Sequence, residues 1–210
     1  MAPIAVESPI TLVLFDMDDV LCDYDRPTRI AHLASLAGCA PEHVDAAIFA
    51  SGYEALGDAG ALDSVAYLAG FGERIGYQLS LEEWVAARRA GTACRPAMLD
   101  LVRRLTVRTA VLTNNSLLVT DHIDQIAPEL PALFPGRLFA SAGLGAAKPD
   151  AACFGRCLDA LGATPAETLF IDDLAENVDG ARRAGLRAHH FTSVAGLTAA
   201  LGAYELLATP

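Results

Sequence analysis

Three carboxylates within four positions follow a short apolar run: Ile10-Thr11-Leu12-Val13-Leu14-Phe15 leads into Asp16-Met17-Asp18-Asp19. Acids clustered at the end of a buried strand lose hydration and repel one another, so they persist where a cation or a reaction uses them. A single aspartate there would serve a turn or cap, and three exceed what capping needs. Three later segments carry groups that could complete such a site. Val111-Leu112-Thr113-Asn114-Asn115-Ser116 ends an apolar run in hydroxyls and amides, suited to cap the next helix or to cradle an anion at its start. Lys148 precedes Pro149, which holds it out of helix and defines its position, although a surface lysine would read the same way in isolation. Phe170-Ile171-Asp172-Asp173 ends in two acids, and Asn177 lies one helical turn beyond Asp173 on the same face.

If these termini converge, Asp16, Asp18, Asp172 and Asp173 place about four negative charges together, each close pair repelling by a few kcal/mol at an effective dielectric near 20. An oxygen-preferring divalent cation removes that penalty. Mg²⁺ suits a site with few carboxylates that also receives a substrate phosphate, and Lys148 adds a fixed positive side chain.

Convergence requires the runs to be neighbouring strands of one sheet. From Ala97 onward, short apolar runs alternate with helical segments. A helix ends over Leu99–Leu105, and a strand over Val107–Thr113 precedes a helix from Leu117 to Ile126. A short strand at Leu138–Ser141 is followed by a helix over Ala151–Leu161 and a strand over Thr168–Asp172. A helix over Ala175–Ala184, capped by Gly185, leads to a strand over Arg187–Phe191. That alternation predicts an α/β fold with a parallel, doubly wound sheet, whose ligands bind beyond the carboxyl ends of the strands. Between Tyr24 and Ala93 only helical periodicity is evident, as in Ile30-Leu33-Leu36-Ala37 and Val65-Leu68-Ala69. About seventy residues is long for a crossover, so the expected division is a core of 1–23 and 94–210 with a helical insertion over 24–93.

The 210 residues carry a net charge of -11, are 53% hydrophobic and include five cysteines. A large core is available, and without a basic run nucleic acid is not an expected partner. Cys22, Cys39, Cys94, Cys153 and Cys157 show no paired CxxC spacing and read as buried free thiols in a reducing compartment. Met1–Glu7 lacks the features of a secretory leader, and no stretch reaches transmembrane length, so no membrane association and a cytoplasmic location are expected. Oligomeric state is left open.

Four ordered motifs, Asp16-x-Asp18-x-Val20, Thr113-Asn114, Lys148-Pro149 and Asp172-Asp173-x-x-x-Asn177, resemble those of the haloacid dehalogenase-like hydrolase superfamily. The likeness spans Ile10–Asp23 and Ala97 to about Leu201. It implies that Asp16 is a nucleophile forming an aspartyl-phosphate and that Asp18 is the general acid/base. Thr113 and Lys148 would bind the transferring phosphoryl group, with Asn114 beside it. Asp16, the backbone carbonyl of Asp18, and Asp173 would hold Mg²⁺, supported by Asp172 and Asn177. The insertion resembles the helical cap of subclass I members, nearest to the group of α-D-glucose-1-phosphate phosphatase and the epoxide-hydrolase N-terminal domain. Many members have Gly where Asp19 stands.

The expected activity is therefore Mg²⁺-dependent hydrolysis of a small phosphate ester, with a sugar phosphate favoured. A phosphoglucomutase-type transferase would share these core motifs. A metal-free 2-haloacid dehalogenase is opposed by Asp18 and Asp172-Asp173, and a phosphonatase by the lack of lysine between Tyr24 and Ala93. A silent binding module would show a broken motif, and none is broken. Arg26 is the favoured cap residue, as an anion-recognising fork near the first motif, whereas His32, Trp84 and Arg88 read as structural or surface residues.

Overall fold

The computed structural model describes residues 8–208, so the stretch Met1–Glu7, expected not to be a leader, lies outside them. Five parallel strands form the main sheet in the order β5-β4-β1-β6-β7: β1 Leu12–Phe15, β4 Arg108–Thr113, β5 Leu138–Ala140, β6 Thr168–Asp172 and β7 Arg187–His190. β1 lies at the centre, with Phe15 in register with Val111 of β4 and Ile171 of β6. All four residues of β1 are buried, as expected for a strand covered on both faces. Val13 and Phe15 enter the larger apolar cluster, while Leu12 and Leu14 enter a second one with Phe154 and Phe170. The α/β doubly wound expectation is met. The chain leaves β1 for β4 on one side and later returns to β6 on the other, so β1 marks the switch point where ligands bind.

A second sheet pairs β2 (Cys22–Tyr24) with β3 (Thr92–Cys94) antiparallel. Between them run α1 (Arg26–Ala37), α2 (Pro41–Val44) continuing as a π-helical stretch over Asp45–Ala50, α3 (Tyr53–Asp58), α4 (Ser64–Ile75) and α5 (Leu81–Ala90). Local sequence explains these boundaries. Asp25 caps α1 by accepting from Thr28 N at 3.1 Å, and Ser80 and Glu83 form a reciprocal capping box on α5.

The remaining helices are α6 (Pro96–Arg103), α7 (Leu117–Asp121), α8 (Ile123–Ile126), α9 (Leu130–Leu133), α10 (Ser141–Leu144), α11 (Ala151–Leu161), α12 (Ala175–Arg183) and α13 (Val194–Ala203). Among the described residues no helix is long and apolar enough to cross a membrane.

Three local expectations need correction. The ribbon β2–β3 went unforeseen, because three-residue strands are too short to show periodicity. The helix expected over Leu117–Ile126 breaks at His122, with φ −120° and ψ 25°. Just before the break, the Thr120 hydroxyl bonds the Leu117 carbonyl at 3.2 Å, competing with the helical ladder. In α4 the buried face is Tyr67, Phe71, Gly72 and Ile75, whereas Val65 is 80% exposed. The turn after β1 has one demanding position: Asp19 adopts φ 57°, a left-handed conformation open to Gly and tolerated by Asp.

Candidate active site

The sheet register brings the ends of β1, β4 and β6 together. Asp16 follows β1 directly, and its N–H donates to the Ile171 carbonyl of β6 at 2.8 Å. Its Oδ1 accepts from Met17 N at 2.7 Å and lies 2.9 Å from Lys148 Nζ. Lys148 is fully buried and also donates to Asp172 Oδ2 at 2.7 Å, bridging the two acids. Its backbone is clamped by the Asn114 amide, which donates to the Lys148 carbonyl and accepts from its N–H, both at 2.9 Å. Asn114, expected beside the phosphoryl group, lines the cavity over the site, and its side chain also holds the lysine segment in place.

Asp172 is saturated. Besides Lys148 it accepts from Leu174 N at 2.8 Å and from Asn177 Nδ2 at 3.1 Å on each oxygen. Asn177 therefore orients Asp172, as a supporting position implies. Carboxylate oxygens of Asp16, Asp172 and Asp173 all lie within 4.8 Å of one another.

The charges there do not balance. Burial pushes Asp16 up to about 8; Lys148 opposes the rise and Asp172 and Asp18 add to it. Burial, then Asp172, also raises Asp173 from the ordinary aspartate value. Burial disfavours the Lys148 ammonium, but Asp16 and Asp172 outweigh it and hold its pKa above the ordinary lysine value. One lysine thus faces three acids, an all-oxygen donor set with surplus negative charge, and that set fits a hard divalent cation.

Asp18 belongs to a different network. A single Arg88 nitrogen reaches both of its oxygens at 2.7 Å, and Asn115 Nδ2 donates to Oδ2 at 3.0 Å. The same Asn115 amide donates to Thr113 Oγ1 at 2.7 Å, joining the expected acid/base to the expected phosphoryl ligand. Arg88 projects from α5, is 1% exposed, and stacks on the Tyr24 ring at 4.0 Å. Sequence reading placed Arg88 among structural or surface residues. Nothing in its spacing reveals a partner seventy residues away. Asn115 is more legible, since it directly follows Thr113-Asn114.

A cavity of about 270 Å³ opens over these groups, lined by Asp16, Asp18, Thr113 and Asp173 below and by Arg26, Glu54 and Asp58 from the helical segment. Arg26 is exposed at its rim, its guanidinium 5.0 Å from the Phe49 ring centre. Trp84 is buried against Tyr67 and Arg29, and His32 does not line the cavity.

The model of the haloacid dehalogenase-like hydrolase family matches residues 10–185. A phosphatase of Mycobacterium tuberculosis, MT3486, is 31% identical over 189 residues, covering 86% of each chain. A predicted HAD-like family hydrolase from Porphyromonas gingivalis superposes with a TM-score of 0.76 at 22% identity, covering 92% of this chain and 98% of its own. A HAD family enzyme of Bacteroides thetaiotaomicron, crystallised with magnesium and inorganic phosphate, gives 0.73 at 21% identity, covering 87% and 94%. With four motifs meeting at one sheet edge and the family match running through all of them, the chain is a member of the haloacid dehalogenase-like hydrolase family.

Proposed function

We propose that the protein is a Mg²⁺-dependent phosphomonoesterase that hydrolyses a small phosphorylated metabolite through a phosphorylated Asp16. The observation that carries this reading is the meeting of Asp16, Lys148, Asp172 and Asp173 at one point, with Asp18 held separately beside them. The similarity to a phosphatase of M. tuberculosis supports the same reaction class.

Asp16 and Asp173 are the side chains that would hold Mg²⁺, together with the Asp18 carbonyl that the family resemblance implies, with Asp172 and Asn177 supporting them. When bound, the ion neutralises phosphate charge and lets a carboxylate approach it. Lys148 and Thr113 hold the phosphoryl oxygens against the developing charge. The Asp16 carboxylate attacks phosphorus as the ester P–O bond breaks, and Asp18 gives its proton to the leaving alkoxide. Asp18 then takes a proton from the water that attacks the phosphorylated Asp16, releasing inorganic phosphate and restoring both acids. Arg88 and Asn115 aim Asp18 throughout, and Asn114 and Asn177 aim Lys148 and Asp172.

In this reading residues 24–93 act as a cap, in the manner of subclass I members, and Arg26 meets the substrate at the rim. A sugar phosphate is the favoured substrate, because Tyr24 and Asp58 line the cavity from the helical segment with groups able to exchange hydrogen bonds with hydroxyls. Phosphate release from p-nitrophenyl phosphate tests the chemistry. It should require Mg²⁺, cease with EDTA and return when Mg²⁺ is restored; equal turnover without metal would overturn the reading. A panel of sugar, nucleotide and bisphosphorylated esters tests the substrate, with sugar monophosphates expected to give the highest kcat/KM.

A further inference from the structure

The chain passes between the sheet and the helical segment twice, through β2 and β3, and a cysteine stands on each crossing. Cys22 and Cys94 are direct partners in the ribbon. Flanking bonds from Arg95 N to Leu21 O at 2.9 Å and from Asp25 N to Gly91 O at 2.8 Å alternate so that the cysteines occupy a non-hydrogen-bonded pair. Facing side chains are closest there, with Cα atoms about 4.5 Å apart, within the span of a disulfide. Both cysteines are free thiols and their sulfurs lie 3.1 Å apart.

We propose that Cys22 and Cys94 are a redox-sensitive pair that closes to a reversible disulfide under peroxide, fastening the two crossings together and slowing turnover. Cys94 is half-buried and reachable, whereas Cys22 is fully buried. The hydrogen bond to Cys94, then burial, raises the Cys22 pKa, so the first attack falls to Cys94. The Cys94 thiolate attacks one peroxide oxygen; an S–O bond forms, the O–O bond breaks, and the departing hydroxide leaves as water with a proton. Cys22 sulfur then attacks the Cys94 sulfenic sulfur, forming S–S and breaking S–O, and its thiol proton leaves with the hydroxide as a second water. Two thiols and one peroxide thus give one disulfide and two waters.

The other cysteines are poor competitors. Cys153 and Cys157 are buried in α11, where burial pushes their thiols up to about 11 and about 12. Cys39 follows α1 and is not part of the ribbon.

Cys22 is also tied to the turn that carries Asp18. Its N–H donates to Met17 O at 3.0 Å and its carbonyl accepts from Asp19 N at 2.7 Å. Drawing the sulfurs together by about 1 Å therefore pulls on that turn, and a misplacement of that size costs up to about 10²-fold in rate. This effect on turnover rests on the proposed phosphatase reading; formation of the bond does not.

The full-length chain is treated with hydrogen peroxide, blocked with iodoacetamide, digested and analysed by mass spectrometry. A peptide pair joined through Cys22 and Cys94 is expected, released by dithiothreitol and absent from Cys94→Ser and Cys22→Ala. With p-nitrophenyl phosphate, kcat/KM should fall by about tenfold on oxidation and recover on reduction, while Cys94→Ser should not respond. Cys94 trapped as sulfinic acid, or a link through other cysteines, would overturn the proposal. A linked protein with unchanged kcat/KM would overturn its regulatory half. A reduced protein inactive on every ester would sink the phosphatase reading and leave the cross-link result standing.

Discussion

Two regions of this molecule bury charge, and they do so in opposite ways. Inside the helical segment, Arg29 is 1% exposed and pairs with Glu54, which also accepts from the Tyr67 hydroxyl. Arg29 donates to Tyr24 Oη at 3.0 Å and lies 5.1 Å from the Trp84 ring centre. One cation meets one anion, and the aromatic rings fill the space around them. At the sheet edge one lysine meets three aspartates, and Asp16 and Asp173 are held above their ordinary pKa by burial and by Asp172. A paired charge is offset where it stands, whereas an unbalanced cluster is costly until something binds. The first is a structural arrangement, and the second is where the proposed chemistry would run.

Substitutions can break this contrast. Asp16→Asn should lower turnover by about 10⁴-fold or more, yet leave the metal-free protein at least as heat-stable, because it removes surplus charge. A fall in Tm would show that the cluster is balanced after all. Arg29→Met should act in the opposite sense. It strands Glu54 and should cost about 3–5 kcal/mol in urea unfolding, while kcat of the folded fraction stays within a few-fold of the parent. A large kcat loss at full stability would move Arg29 into the catalytic group.

Arg88 sits between the two regions and sharpens the comparison. Arg88→Lys should lower kcat by about 10²-fold with little change in KM, and Asp18→Asn combined with it should be no worse than Asp18→Asn alone. Additive losses would give Arg88 a role that does not run through Asp18.

The smallest effect concerns Asp58. Burial, then Glu54, raises its carboxyl well above the usual range. Its folded pKa therefore exceeds the unfolded one, near 4, so the stability it adds is present below that value and is lost as pH rises toward the folded pKa. Asp58→Asn should flatten the decline of Tm as pH rises above about 4, relative to the parent. An identical slope in both proteins would place Asp58 among ordinary solvated carboxylates.

Much of the core was legible because β1, β4 and β6 are short apolar runs leading into polar clusters. Ala151–Leu161 and Thr168–Asp172 match their expected bounds, and Lys148 is fixed in position as its proline neighbour suggested. Legibility failed where a partner is distant along the chain. The pairing of Cys22 with Cys94 and of Arg88 with Asp18 depends on how five helices fold between them, and no local pattern encodes that. It failed again where packing selects a face. Tyr67 and Phe71 are buried in α4, and the more hydrophobic-looking Val65 faces outward. Asn114 shows a third limit, since nothing in its sequence says that it also clamps the lysine segment.

The end of α3 rests on the start of α10, just after β5, with little between them. Ser141 Oγ donates to the Asp58 carbonyl, and a Cβ at Gly60 would stand 2.3 Å from the Ala142 carbonyl oxygen. Gly60 also has φ 71°, so a larger residue there is opposed twice. This contact works as a spacer of fixed thickness: it sets the height of the ceiling that Asp58 forms above Asp16, and with it the length of molecule that fits beneath.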